Sequence, residues 1–372
     1  MPLIRRYNRR PGRGSNAPPA TGGPLLMQMK ALGPACMALP VLMMTSFTQA
    51  EGNAVVPSVG NAEQTMTEQM SGQKGGHLST GSRIGDILNN PAFAGFGSLI
   101  LPRDNRSYDE RILLSDIGSL LPYHDHVDPK VVVSGLNHMI DDVNSGKRVF
   151  YDFYTEAQKR AEPTREHTGL FLFRGRPGAP FAMIAPGGGF SYVGSVHEGF
   201  PYALEISKLG YNAFVLRYRV GHGGAVATQD MAAAISWVFR NAETLGVSTR
   251  DYSLWGSSAG ARMAAAIGSH GVAGFGGDAL PKPATVVMAY TGHSDHASDE
   301  PATFVVVGEQ DRIAPPSAME GRIVALRKAG TEVEYRKYED VGHGFGPGTG
   351  TRAEGWVADA TRFWEKSVKP RN

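Results

Sequence analysis

Ser258 stands at the centre of Gly256-Ser257-Ser258-Ala259-Gly260, a Gly-x-Ser-x-Gly pattern. An apolar run ends at Leu254-Trp255 just before it, and a small-residue helical pattern, Met263-Ala264-Ala265-Ala266-Ile267, follows at once. A strand, a sharp turn and a helix in that order make a nucleophile elbow, in which the flanking glycines let the chain turn so tightly that the central hydroxyl projects alone. A serine used this way needs a base, a group to orient the base, and donors for the oxyanion that develops during acyl transfer.

The partners can be sought downstream and upstream. His343, in Val341-Gly342-His343-Gly344, is the only histidine after the apolar run ending at Val307, and its loop follows an alternating strand pattern. Asp311, in Gly308-Glu309-Gln310-Asp311, lies just past the same apolar run and could accept the second ring N–H of His343, fixing its tautomer. Glu309 is the competing carboxylate, but it sits closer to the strand. Upstream, Pro186-Gly187-Gly188-Gly189 follows the apolar run Phe181–Ala185, and consecutive glycines let backbone N–H groups approach an oxyanion. Gly188 or Gly189, with Ala259 after the serine, are the candidate donors. The glycine run lacks the spacing and the lysine of a phosphate cradle.

Other polar residues are candidates for the rim. Tyr192, His197 and Glu198 follow the glycine loop and could line a pocket, although Glu198 could equally cap the helix starting near Phe200. His293 and His296, with Asp295 between them, follow a strand and could contact substrate. Neither they nor His124-Asp125-His126, read as a solvated loop, have the spacing and third ligand of a metal site, so no metal is expected.

The elements that must position these residues are legible in the punctuation. Strand patterns occur at Val149–Tyr154, Gly169–Phe173, Phe181–Ala185, Ala213–Tyr218, Tyr252–Trp255, Ala284–Tyr290, Thr303–Val307 and Val333–Tyr338. Helical patterns intervene at Phe200–Leu209, Thr228–Leu245 and Ala318–Lys328, and one at Ala353–Lys366 closes the chain. Strands alternating with helices imply a mostly parallel sheet covered on both faces, with sites at the carboxyl ends of the strands. Residues 83–148 read as a mainly helical lead-in, with Asp128 as an N-cap and Gly146 as the stop of one helix.

The order of glycine loop, Gly-x-Ser-x-Gly, Asp and His, each after a strand, resembles the α/β-hydrolase superfamily, and most of all its esterase/lipase branch of acetyl esterases and feruloyl-esterase-like hydrolases. The likeness spans roughly residues 149–368. It implies Ser258 as nucleophile, His343 as base, Asp311 as orienting acid, and an oxyanion hole from Ala259 with Gly188 or Gly189. It implies hydrolysis of carboxylic esters through an acyl-enzyme, with no cofactor. Pro186 stands where that branch usually has His, which leaves open what anchors the glycine loop. Ala261 replaces a frequent second glycine and argues against the oligopeptidase relatives. The short connection from Tyr290 to Ala302 has no room for a helical lid, which suits small acyl esters or acyl groups borne on a polysaccharide. A peptidase or amidase of the same fold, and a silent hydrolase-like binding domain, are the alternatives.

Composition bounds the rest. The 372 residues are 41% hydrophobic, enough for a sizeable core. The net charge of +2 is local in origin: Arg5, Arg6, Arg9, Arg10, Arg13 and Lys30 lie in the first fifty residues, which hold no acid. Nothing suggests a nucleic-acid partner. The basic start leads into an apolar run through Met44 and then small residues to Ala50, the pattern of a secretory signal within residues 1–50 behind a basic extension. Pro34 and Pro40 interrupt that run, so no stable membrane anchor is expected and the protein reads as secreted or periplasmic. The only cysteine, Cys36, lies in this segment. Residues 51–82 are polar and read as a flexible linker, leaving 149–372 as the catalytic domain.

Overall fold

Along the chain from Gly169 the side chains of each strand are buried alternately on two faces. Phe171, Phe173, Ala182 and Ile184 enter one apolar cluster, while Leu170, Leu172, Phe181 and Met183 enter the other. That period of two, with both sides apolar, is what a sheet covered on both faces requires. The computed structural model describes residues 74–103 and 106–368. All of these fall in the unit Val59–Asn372.

The strands are β1 (Phe150–Tyr151), β2 (Gly169–Phe173), β3 (Pro180–Ala185), β4 (Asn212–Arg217), β5 (Ser248–Ser257), β6 (Thr285–Ala289), β7 (Ala302–Gly308) and β8 (Val333–Tyr338). They form one 8-stranded sheet in the order β1-β2-β4-β3-β5-β6-β7-β8. The β1–β2 and β2–β4 pairs are antiparallel and the others parallel. Reversal of strand order around β3 and β5 opens a crevice at their carboxyl ends, where a site is expected in such sheets.

One face is covered by the helices Phe200–Lys208 and Trp356–Val368 together with the lead-in, whose Ile84, Ile87, Leu136 and Ile140 share the cluster with Trp255 and Trp356. The other is covered by the helices Gly223–Arg240, Ala259–His270 and Pro316–Lys328. In the lead-in, Asp128 caps the helix Pro129–Asn144 by accepting from the Lys130 N–H.

Three expectations need correcting. The strand expected over Val149–Tyr154 pairs only at Phe150–Tyr151, because Thr155 caps a new helix, Glu156–Ala161, directly after it. The helix expected from Thr228 to Leu245 starts earlier, at Gly223, and breaks at Asn241, whose side-chain amide donates to the Trp237 carbonyl. The linker expected to run to Ser82 is held from Gly75 onward. Asn144 and Asn137, seven residues apart on one helix face, each both donate to and accept from the backbone of Gly75 and Leu78. Two side-chain amides thus serve the backbone as a strand partner would, and a composition without large apolar groups does not reveal them. The signal, Cys36 and the first part of the linker lie outside the described residues. Among the described residues no helix is long and apolar enough to cross a membrane.

Candidate active site

The elbow forms because β5 and the helix after it press the turn against β3 and β6. Ser258 has φ 50° and ψ −113°, a conformation sparsely populated by any residue with a Cβ. Its N–H donates to the Ala289 carbonyl of β6 at 2.8 Å. A Cβ at Gly260 would lie 1.8 Å from the Ala185 oxygen, so only glycine permits the helix to start so close to β3.

His343 lies in the loop after β8 and Asp311 in the loop after β7. The Nδ1–H of His343 donates to Asp311 Oδ2 at 2.7 Å, and Nε2 lies 3.0 Å from Ser258 Oγ. The other Asp311 oxygen accepts the N–H groups of Ile313 and Ala314 at 2.8 and 2.7 Å. Asp311 is therefore both a turn-fixing residue and the partner of the histidine. With a carboxylate at Nδ1, the ring offers Nε2 as acceptor for the serine O–H. Asp311 and His343 are almost wholly buried, at 4% and 6% exposure, which keeps bulk water from this hydrogen-bonded series.

The glycine loop sits beside the serine: a Cβ at Gly187 would lie 3.0 Å from the Ser258 Cβ. Gly188 and Gly189 have φ of 129° and 61°, and their N–H groups donate no hydrogen bond among the described residues. The loop is held from behind. Tyr218 Oη donates to the Pro186 carbonyl, and the Gly187 N–H donates to Glu198 Oε2 at 2.5 Å.

Glu198 is the centre of this support. It is fully buried and does not cap the helix Phe200–Lys208, whose N-cap is Gly199. Its Oε1 accepts from Tyr290 Oη at 2.7 Å and lies 2.9 Å from His124 Nε2. Tyr290 bonds Tyr202 at 3.0 Å, and Tyr202 bonds Ser257 at 3.1 Å, which closes the network one residue from the nucleophile. Burial disfavours the Glu198 carboxylate, but the charge and hydrogen bond of His124, with His197 and Tyr290, outweigh it and hold the acid at about 2. The place left open by Pro186 is thus filled from elsewhere, by Glu198 and a histidine of the lead-in.

His124 was expected in a solvated loop. Instead its side chain is 2% exposed, with Nδ1 2.9 Å from Tyr192 Oη. A histidine flanked by Asp125 and His126 reads as polar and exposed because nothing local shows the distant carboxylate it meets. Tyr192 and His197, expected to line a pocket, are buried as well. Tyr192 is buried beneath the loop and accepts the Tyr123 N–H, while His197 Nε2 bonds the Gly344 carbonyl at 3.0 Å, beside His343. The Asp125 N–H donates to the same carbonyl. The lead-in therefore braces both the glycine loop and the histidine loop.

Burial, with the neighbouring His124, lowers His197 to about 4, and burial, with Arg322 and Arg262, lowers His293 to about 4. Both rings bind fewer protons folded than unfolded between about pH 6.5 and 4, so stability present above that window is lost as pH falls through it. Glu198, also depressed, adds a more acidic window from its ordinary 4.5 down to about 2. The urea midpoint should accordingly drop between pH 6.5 and 4, with a shallower slope in His197→Gln. A midpoint that stays level or rises on acidification would contradict this assignment.

Two cavities take in residues of the site's surroundings. One, of about 440 Å³, is lined by Phe190, Gly224, Ala225, Thr228, Arg262, Ala266 and His293. The other, of about 340 Å³, lies on the base side and includes Asp125, His126, Ile313 and His343. His293 lies at a cavity wall, whereas Asp295 turns to His270 at 2.7 Å and His296 to its own loop. Among the described residues no group of three or more His, Cys, Asp or Glu side chains is arranged to hold a metal. The connection from β6 to β7 contains no helix. Sequence reasoning passed over Tyr202 and Tyr290, whose roles depend on contacts 55 or more residues apart.

Comparison with known proteins follows this geometry. Residues 177–280 match the family model described as BD-FAE, and residues 279–371 match the prolyl oligopeptidase family. The first match carries the glycine loop and the elbow, and the second carries Asp311 and His343. Ala261 was expected to argue against the oligopeptidases, yet residues 279–371 match their family model. An acetylxylan esterase of Xylanibacter ruminicola is 23% identical over 213 residues, which cover 49% of this chain and 44% of that protein. The chain thus spans under half the length of this curated relative. The crystal structure of an acetyl ester-xyloside bifunctional hydrolase from Caldicellulosiruptor lactoaceticus superposes with a TM-score of 0.51 at 19% identity, over 58% of this chain and 95% of that one. At such identity the likeness speaks to the fold.

Proposed function

From the premise that this chain has the α/β-hydrolase fold, we propose that it is a serine hydrolase that cleaves carboxylic esters of short acyl groups, including acetyl groups on carbohydrate. The observation that carries this reading is the series Ser258 Oγ, His343 Nε2, His343 Nδ1 and Asp311 Oδ2, linked at 3.0 and 2.7 Å. His343 takes the serine proton as Oγ attacks the ester carbonyl. The N–H groups of Ala259 and of Gly188 or Gly189 stabilise the tetrahedral oxyanion, and His343 protonates the departing alcohol. The base then activates water, whose attack releases the acid and restores the serine. The acetylxylan esterase among the relatives supports an acetyl ester as substrate, and a β6–β7 connection without a helical lid suits an ester borne on a polymer.

The reading is tested by hydrolysis of p-nitrophenyl esters of increasing chain length and of acetylated sugars, together with labelling by a fluorophosphonate. Labelling of any serine other than Ser258 would refute the assignment. A peptidase of the same fold is favoured by one observation, the match of residues 279–371 to the prolyl oligopeptidase family. It is separated by comparing esters with aminoacyl amides. The silent binding domain predicts a misaligned pair, and the 3.0 Å contact of Ser258 with His343 speaks against it.

Export completes the proposal. The basic start, apolar run and small residues before Ala50 support cleavage there, so the N-terminus of protein recovered from the culture medium or periplasm should read Glu51-Gly52-Asn53. Full-length protein retained in the cytosol would overturn it.

A further inference from the structure

Arg262 is one helical turn beyond the nucleophile, and its N–H donates to the Ser258 carbonyl at 3.3 Å. The side chain is exposed and lines the 440 Å³ cavity that begins at Phe190, directly after the glycine loop. It forms no ion pair among the described residues, whereas Arg219, Arg240 and Arg322 are each paired with a carboxylate. No acid lines the cavity, whose room comes from Gly224, Ala225 and Ala266. On its far wall His293 Nε2 is buried without a hydrogen-bond partner. Asp295, Asp299 and Glu300, the acids that follow His293 most closely in sequence, are engaged by His270, Lys282 and Arg322. The cavity is therefore a recess holding a guanidinium with no carboxylate partner among the described residues, carried by the helix that follows Ser258.

We propose that Arg262 is a specificity residue that binds a carboxylate carried by the ester substrate, in the recess bounded by Phe190, Thr228 and His293. The planar fork of a guanidinium matches the two oxygens of a carboxylate, and an otherwise uncompensated cation beside an apolar wall gains more from such a pair than one already bridged. This inference rests on the ester-hydrolase reading of the same site. The carboxylate can belong to the acyl side, as in a hemisuccinate, or to the alcohol side, as in an acylated acidic sugar.

Two matched pairs distinguish these sources: mono-p-nitrophenyl succinate against p-nitrophenyl butyrate, and an acetylated methyl glucuronoside against the acetylated methyl glucoside. In at least one pair kcat/KM should favour the anionic ester by roughly 10-fold, since a charge-assisted hydrogen bond at an exposed group discriminates by about that much. Arg262→Gln should abolish the ratio and Arg262→Lys should retain part of it, with added salt eroding the wild-type preference. A ratio near one in both pairs, or one that Arg262→Gln leaves intact, overturns the proposal while the hydrolase reading stands. If no ester is turned over, the hydrolase reading fails, and calorimetric binding of methyl glucuronoside and of succinate to the wild type and to Arg262→Gln decides the site. Equal binding to the two proteins, or none, also overturns it.

Discussion

Replacing Ser258 with alanine should lower kcat on short p-nitrophenyl esters by roughly 10⁴- to 10⁶-fold while leaving the folded protein intact, because the alcohol is the group that forms the acyl-enzyme. The strained turn at φ 50° does not depend on the hydroxyl, and alanine keeps the Cβ that the elbow already accommodates. His343→Gln should cost a comparable factor. The double variant should be little worse than either single one, since the two residues act as a unit. Asp311→Asn is the sharper test of orientation. Its Oδ1 holds the N–H groups of Ile313 and Ala314, so the asparagine carbonyl is drawn to that side and its NH₂ faces His343 Nδ1. The ring then presents Nε2–H to the serine, the wrong tautomer for a base, and a loss of about 10⁴-fold is expected. Measured rates of Ser258→Ala within a few-fold of the wild type would remove the serine mechanism altogether.

Glu198 is expected to rank second, although it touches neither nucleophile nor base. Glu198→Ala leaves His124 buried without its carboxylate, the Gly187 N–H without an acceptor, and the Tyr290 hydroxyl with Tyr202 alone. Breaking a buried pair on one side costs about 3–5 kcal/mol, so the midpoint of urea unfolding should fall markedly. The functional consequence is separate. Displacing the glycine loop by a fraction of an ångström misplaces the oxyanion donors, and a loss of about 10²-fold should fall on kcat rather than KM. Glu198→Gln offers one carbonyl oxygen where the carboxylate offers two, so it keeps an acceptor for Gly187 or Tyr290 but not both, and should restore only part of the stability and of kcat. A folded Glu198→Ala protein with wild-type kcat would show that the network supports the fold alone and does not position the loop.

How much of this was legible in the chain depends on how local the determinant is. The strands β2 and β8 were readable residue for residue, because alternation or a continuous apolar run between turn residues states both period and limits. The break at Asn241 and the early end of β1 were not, since each depends on one side chain capping or completing a backbone. Ser258, Asp311 and His343 were nameable in advance for a similar reason. Each sits at the end of a strand, in a turn whose glycines or polar residues are visible, and the chemistry demands one of each kind.

The support beneath the site was not nameable. Glu198 and Tyr202, Tyr290, and His124 come from three separate segments, and a buried carboxylate is indistinguishable by type from an exposed one until its partners are known. Tyr192, His197 and Glu198 were expected beside the glycine loop as pocket residues, and the structure buries them in the contacts that brace that loop and the histidine loop, because sequence distance conveys neighbourhood and not direction. The amino-acid order alone determined the sheet, the elbow and the candidate triad, all written in short-range patterns of size and polarity. Only the tertiary structure decided that a lead-in histidine and a buried glutamate take the place of the residue missing before the glycines, since burying a charge is tolerable only where distant segments bring its counterpart within hydrogen-bond reach.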